Sequence, residues 1–307
     1  MDILPGIFEA EDVEFEITNA FCFAKDAVYM VVDARSDAQD TAGSALLKVK
    51  LTDAPDYEVL LEFDSRSLDY YAETPDLHFI LQAGGYMRKV ENGQASFNQF
   101  PAAVLFSGLA RIDQRSVAVF GERGNVFSFE NDAYAPIAMP TDERIYAMHF
   151  PRPDNGYAGG NYGAFLQGGR AGFTPVELGS HEFIKALHAK PDGTVLLACD
   201  EGVGLVYANG ELIEVEGNSA DFYAVNVFKG IEYWGDDDFG VYARENNRFI
   251  PKFETGFAFK INTTDELMTI NAGYDVYVFD GSDWIRLIIN ADVDQMIERV
   301  ELDFEPQ

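Results

Sequence analysis

Apolar and polar residues alternate along this chain in short runs, and the runs end in tight polar turns. The clearest stretch reads FIKALHA (183–189), turn KPDG, TVLLA (194–198), loop CDEGV, GLVYA (204–208), turn NG and ELIEVEG (211–217). Alternation with period two, broken about every eight to twelve residues by Gly, Pro, Asn or Asp, predicts four short antiparallel strands. A longer pattern overlies the short one. A small residue, an apolar or aromatic strand and a tight turn recur at intervals of roughly 35 to 40 residues. The phrase reads GYMRKVEN at 85–92, GNVFSFEN at 124–131, GAFLQGGR at 163–170, GLVYANGE at 204–211, GVYAREN at 240–246 and YDVYVFDG at 274–281.

Aligned on that phrase, the chain divides into seven four-stranded units, at about 15–63, 65–100, 103–139, 144–178, 182–217, 221–254 and 256–290, with a tail over 291–307. No interior linker or low-complexity stretch separates them, which implies one domain over 1–307. Unit 1 departs from the rest. AFCFAKDAVYMVV (20–32) supplies its first two strands, and SALLKVKL (44–51) with YEVLLEF (57–63) supplies the last two. Between them DARSDAQDTAG (33–43) reads as a polar loop, longer than its equivalent in the other units. VEFEIT (13–18) stands where a further strand would precede unit 1, and ADVDQMIERVELDFE suggests a helical turn or two and then a strand. Either end is able to supply a closing strand, and the pattern does not choose between them.

Four strands per unit of this length describe an all-β, seven-bladed β-propeller, and the chain resembles the β-propeller superfamily along nearly its whole length. The nearest flavour is the bacterial short-repeat type, through KPDGTVLLA and GLVYANG. Trp-Asp dipeptides and Ser-x-Asp-x-Gly-x-Thr-Trp boxes are absent, and the Gly-Gly pairs at 84–85 and 159–160 lack the tryptophan of a kelch repeat. The resemblance therefore implies a fold and no particular activity.

Composition adds one outlier. Hydrophobic residues make up 47% of the 307 residues, with 25 Phe and 15 Tyr, which is ample for a packed core. Against 22 basic residues stand 52 acidic ones, a formal charge of −30. A field of that sign repels nucleic acid and anionic membrane and speeds encounter with basic partners. Cys22 and Cys199 lie far apart in apolar strands, as buried reduced thiols would, and without the paired spacing of a metal site. Met1 to Gly6 has no basic leader segment, and no apolar run reaches membrane-span length. A cytoplasmic protein is expected, monomeric when free, with no cofactor or metal and no nucleic-acid or membrane partner.

Two groups of residues carry the candidate chemistry. The innermost strands of units 4, 5 and 6 align as IYAMHF, IKALHA and FYAVNV, which puts His149, His188 and Asn226 in one register near a channel mouth. Neutral imidazoles there would serve as acid–base groups or metal ligands. The competing reading is that polar residues at repeat-equivalent positions satisfy backbone groups, and it is the heavier of the two. The second group is acidic. Turns between strands two and three share one face with the connections between units, and they hold Asp33, Asp37 and Asp40, then Asp200 and Glu201, then Asp236, Asp237 and Asp238. Asp64, Asp69 and Asp221 lie in or near connections on that face. Neither the 33–40 nor the 236–238 loop has the spaced pattern of a calcium loop.

The leading functional reading is a non-enzymatic protein-binding module whose acidic face captures a basic partner, in its sharper form an immunity or antitoxin protein masking a basic toxin. One alternative is a lyase- or hydrolase-type enzyme acting on a sugar-like substrate at the channel mouth through His149 and His188. Another is a structural or phage-related scaffold.

Overall fold

The computed structural model describes residues 13–36, 41–101, 104–217, 220–289 and 297–302. Period-two alternation becomes strand throughout these segments, and the repeat becomes seven antiparallel sheets. The sheets form a ring of blades. Strands within each blade follow chain order from the axis outward. Second strands are apolar runs buried on both faces, as in Leu77–Gln82, Ser116–Gly121 and Val195–Cys199. Fourth strands, such as Gln94–Gln99 and Glu211–Val215, present polar residues to solvent. Burial thus falls from the middle of each blade to its rim, which is why the alternation is cleanest in the outer strands.

The core is divided among the junctions between blades. Among the described residues seven apolar clusters form, and each draws on two neighbouring blades. Blades 5 and 6, for example, close on Trp234, which is fully buried with Phe222 at 5.6 Å and Phe249 at 5.2 Å between ring centroids. Burying a side chain of that size contributes about 1.5–3 kcal/mol, so each junction is a core in its own right. Cys22 and Cys199 are buried and unpaired, and burial pushes the Cys22 thiol up to about 12.

Blade 1 corrects the sequence expectation. Of the segment 33–43, residues 33–36 and 41–43 are strand and not loop: the second strand runs Ala27–Ser36, and the third begins at Thr41, with 37–40 outside the described residues. Asp33 faces Ser44, Ala34 faces Gly43, Arg35 faces Ala42 and Ser36 faces Thr41. Nor is Val13–Thr18 a separate strand. It continues into the innermost strand, Val13–Ala24, and pairs with the extended second strand from Val13↔Ser36 to Ile17↔Val32. Two features that look unrelated in sequence are therefore each other's pairing partners. One face of the extension stays in the core through Phe15, Ile17 and Ala34, while the polar residues between them hid the pairing.

The fifth strand at the closure comes from the C-terminal end, on the outside of blade 7. Ile297–Leu302 pairs with Trp284–Ile289 and makes blade 7 five-stranded. The expected helical turn falls on 290–296, outside the described residues. Among the described residues no strand is shared between the ends: blade 1 is built from one and blade 7 from the other. Side chains of blade 7 hold the seam. Asn271 Nδ2 donates to the carbonyls of Ile17 at 2.7 Å and Thr18 at 3.1 Å, and Thr269 Oγ1 and Asn262 Nδ2 donate to that of Ala20 at 2.9 and 3.0 Å.

Candidate functional site

Innermost strands of neighbouring blades share no ladder, so backbone groups on their facing edges need other hydrogen-bond partners. Blade after blade supplies one. Asn19 Nδ2 donates to Tyr70 O at 2.9 Å, and Asp69 Oδ2 accepts from Leu109 N at 2.8 Å. His149 Nδ1 accepts from Ala189 N at 2.9 Å, Asn226 Nδ2 donates to Ile261 O at 2.8 Å, and Asn262 returns to blade 1. In each case a polar side chain reaches the backbone of the next blade's innermost strand. Asn226 also accepts from Val227 N and Thr263 Oγ1, so both its amide oxygen and its amide nitrogen are engaged.

His149 and His188 come together as the register implied, with rings stacked at 4.5 Å and 24°. Burial and the neighbouring His188 lower the His149 imidazole to about 3, and burial and Lys190 lower that of His188 to about 4. Both are neutral at physiological pH. The bond from Ala189 N fixes the His149 tautomer with its proton on Nε2. Among the described residues no group of three or more His, Cys, Asp or Glu is placed to hold a metal ion.

The acidic residues divide into two kinds. Asp33 is buried and accepts from Ser67 N at 3.1 Å and Ser67 Oγ at 2.6 Å, as well as from Ser44 Oγ. Burial raises its carboxyl despite those donors. Asp236 is fully buried, and Oδ1 accepts from Phe239 N at 3.0 Å and Gly240 N at 2.7 Å, which closes the turn behind it. Both carboxylates face inward. Asp200, half-buried, accepts from Phe183 N at 3.2 Å. Asp237, Asp238 and Glu201 are exposed, while Asp37 and Asp40 lie outside the described residues.

Blades 5 and 6 join their acidic turns through Asp221. Asp221 Oδ1 accepts from Glu201 N at 2.7 Å, and Asp221 N donates to Asp237 Oδ1 at 3.1 Å. Although burial opposes it, the Lys185 ammonium and the Glu201 N–H hold the Asp221 carboxyl below its usual range. Nearby, Glu182 is raised by burial and by the charges of Asp200, Glu201 and Glu214. The result is a braced carboxylate platform over two blades.

The same face carries features that the acidic pattern concealed. Turns ERGN (122–125), NYGA (161–164) and DEGV (200–203) share one geometry, with Arg123, Tyr162 and Glu201 at φ of 55°, 52° and 53°. Each turn displays an exposed side chain from a left-handed residue. Leu105 and Tyr162 are 67% and 74% exposed. Nearer the axis, Arg144 lies over Tyr146, Tyr146 packs on Phe183 at 4.7 Å, Lys185 lies 4.2 Å over Tyr223, and Tyr223 packs on Phe259 at 5.5 Å. Between blade 1's raised hairpin and blade 7 a cleft of about 260 Å³ is lined by Glu14, Glu16, Arg35, Arg66, Phe257 and Tyr274, among others. Alignment of the three turns could have found Tyr162. The cleft could not have been found, because it depends on the hairpin.

No family model and no curated protein sequence matches this chain. Solved structures do match in fold. The computationally designed Ika8 protein aligns with a TM-score of 0.62 at 13% identity, over 88% of this chain and 98% of that one. YCF48 bound to D1 peptide aligns at 0.61 and 10%, over 86% and 93%. The WD40 β-propeller domain of Doa1 aligns at 0.63 and 9%, over 85% and 91%. At such identities the likeness is one of architecture: the chain is a seven-bladed β-propeller.

Proposed function

We propose that this propeller is a non-enzymatic protein-binding module whose acidic connection face captures a basic protein. The sharper form of the reading is an immunity or antitoxin protein that masks a basic toxin. Its main support is the platform of blades 5 and 6, where Asp221 holds the Glu201 turn through its backbone N–H and the Asp237 carboxylate through Asp221 N, with both residues exposed. Turns fixed before binding lose little entropy on docking. Their field, added to a net charge of −30, accelerates encounter with a cationic surface. A rigid disk also suits this role, since its face keeps one shape while its turns vary.

The test compares the parent with a Glu201→Gln, Asp237→Asn, Asp238→Asn variant, each immobilised and challenged with purified basic proteins, including nuclease domains. The parent is expected to bind one at about 50 mM salt and to release it at about 500 mM, where screening shortens to a few ångströms. The variant should associate about tenfold more slowly. Equal association by parent and variant, or no basic protein bound at low salt, overturns the reading.

A further inference from the structure

Apart from the acidic platform, a groove of about 400 Å³ opens on the connection face at blade 4. Pro140, Ala164, Pro175, Val176 and Leu178 line it, and Tyr162 stands over it. Tyr162 has φ 52°, a conformation that glycine adopts freely and a tyrosine does not. The corresponding turns of blades 2 and 7 do use glycine at positive φ, at Gly84 and Gly273. Those turns differ in hydrogen bonding, but the turns of blades 3 and 5, which share the geometry of Tyr162, carry Arg123 and Glu201 there, so the turn needs no aromatic at its apex. An aromatic ring left 74% exposed there puts apolar surface in water beside an apolar groove, and rigid tyrosines so placed are effective binding anchors.

Charge selects the occupant. Asp142 and Glu177 are exposed beside the groove, and Glu182 lies half-buried where its connection ends. Of the neighbouring cations, Arg144 is held by Ser107 Oγ at 2.8 Å and stacks on Tyr146, which leaves His181 on the rim. A second copy of this chain, carrying −30, would add repulsion, and an acidic segment would do the same. We propose that the groove takes a bulky apolar side chain of a partner segment whose adjacent residues are Lys or Arg. The proposal rests on the basic-partner reading of this face and names the anchor that the acidic platform lacks.

The experiment pans a random dodecapeptide display library on the full chain at about 50 mM salt. Selected peptides are then titrated against the parent, Tyr162→Gly, Leu178→Glu and the acidic-turn variant. Selected sequences are expected to share one bulky apolar residue flanked by Lys or Arg, and Kd should rise about tenfold or more for both groove variants. Tyr162→Gly removes a left-handed side chain, so it should keep the parent's circular dichroism and thermal midpoint. Enrichment without basic flanks, no enrichment, or binding to Tyr162→Gly as tight as to the parent overturns the proposal. If only the acidic-turn variant loses binding, the groove proposal fails and the platform reading survives. If only the groove variants lose it, the reverse holds.

Discussion

Lys260 Nζ in blade 7 lies 3.4 Å from Asp69 Oδ1 in blade 2, an ion pair between blades that are not neighbours in the ring. Blade 1 sits between them, so the pair crosses near the axis. Asp69 is buried and also accepts from Leu109 N at 2.8 Å and Tyr70 N at 3.0 Å. The two partners are therefore unequal. Asp69→Ala should cost about 2–4 kcal/mol, because it strands backbone donors as well as the charge. Lys260→Met, at a half-exposed side chain, should cost about 1 kcal/mol or less. Urea unfolding of the two variants checks the difference, and equal losses would contradict it.

The seam should be sensitive to single amides. Asn271→Ala removes both donors to the Ile17 and Thr18 carbonyls. A buried carbonyl left unpaired costs about 1–3 kcal/mol, and hydrogen exchange of Val13–Ala24 should quicken before that of blades 3 to 5. Uniform quickening around the ring would show that the seam has no special weakness.

Adjacent positions in one turn should respond oppositely. A Cβ at Gly163, whose φ is 72°, would lie 2.2 Å from Ser180 O, and Gly163 N donates to Glu182 O at 3.0 Å. Gly163→Ala should lower stability by about 2–3 kcal/mol, since both backbone strain and a clash result. Tyr162→Gly, which relieves a left-handed side chain, should lie within about 1 kcal/mol of neutral. Thermal melts of the pair give the comparison directly.

The stacked imidazoles predict a pH dependence. Each is held below the unfolded value of about 6.5, so below that pH the unfolded chain binds more protons. Stability contributed by the neutral pair is complete above about pH 6.5 and falls as pH drops toward about 4 at His188 and about 3 at His149. The slope is at most about 1.4 kcal/mol per pH unit for each ring. Unfolding at pH 7, 6 and 5 should show the parent losing ground relative to a His149→Asn, His188→Gln double variant. A constant difference across that range would refute the pairing as the cause.

Strand number, blade order and the common register of His149, His188 and Asn226 were legible because the apolar pattern and the repeat report burial directly. Burial of acidic residues was not. Asp33, Asp236 and Asp237 look alike in sequence, yet the first two face inward. Asp236 left one usable trace: in DDDFG its carboxylate can accept from backbone groups three and four residues on, an extended relative of the Asx turn. The raised hairpin of blade 1 left a weaker one. Alternation in VEFEIT marked a strand, but DARSDAQDTAG carries too few apolar residues to announce its partner. Register between distant segments is decided by tertiary pairing, and here a buried Asp33 with serine donors fixes it.

Side-chain bonds across the closure, where no described strand is shared, also set an order of events at the ribosome. Blade 1 emerges first, yet the carbonyls of Ile17, Thr18 and Ala20 find their partners only when Asn262, Thr269 and Asn271 arrive. At about 5–20 residues per second, that leaves the innermost strand of blade 1 waiting for some tens of seconds. Blade 1's innermost strand is made before its partners and completed only with them, and until then its acidic residues Glu14 and Glu16 guard an open edge against pairing with another chain.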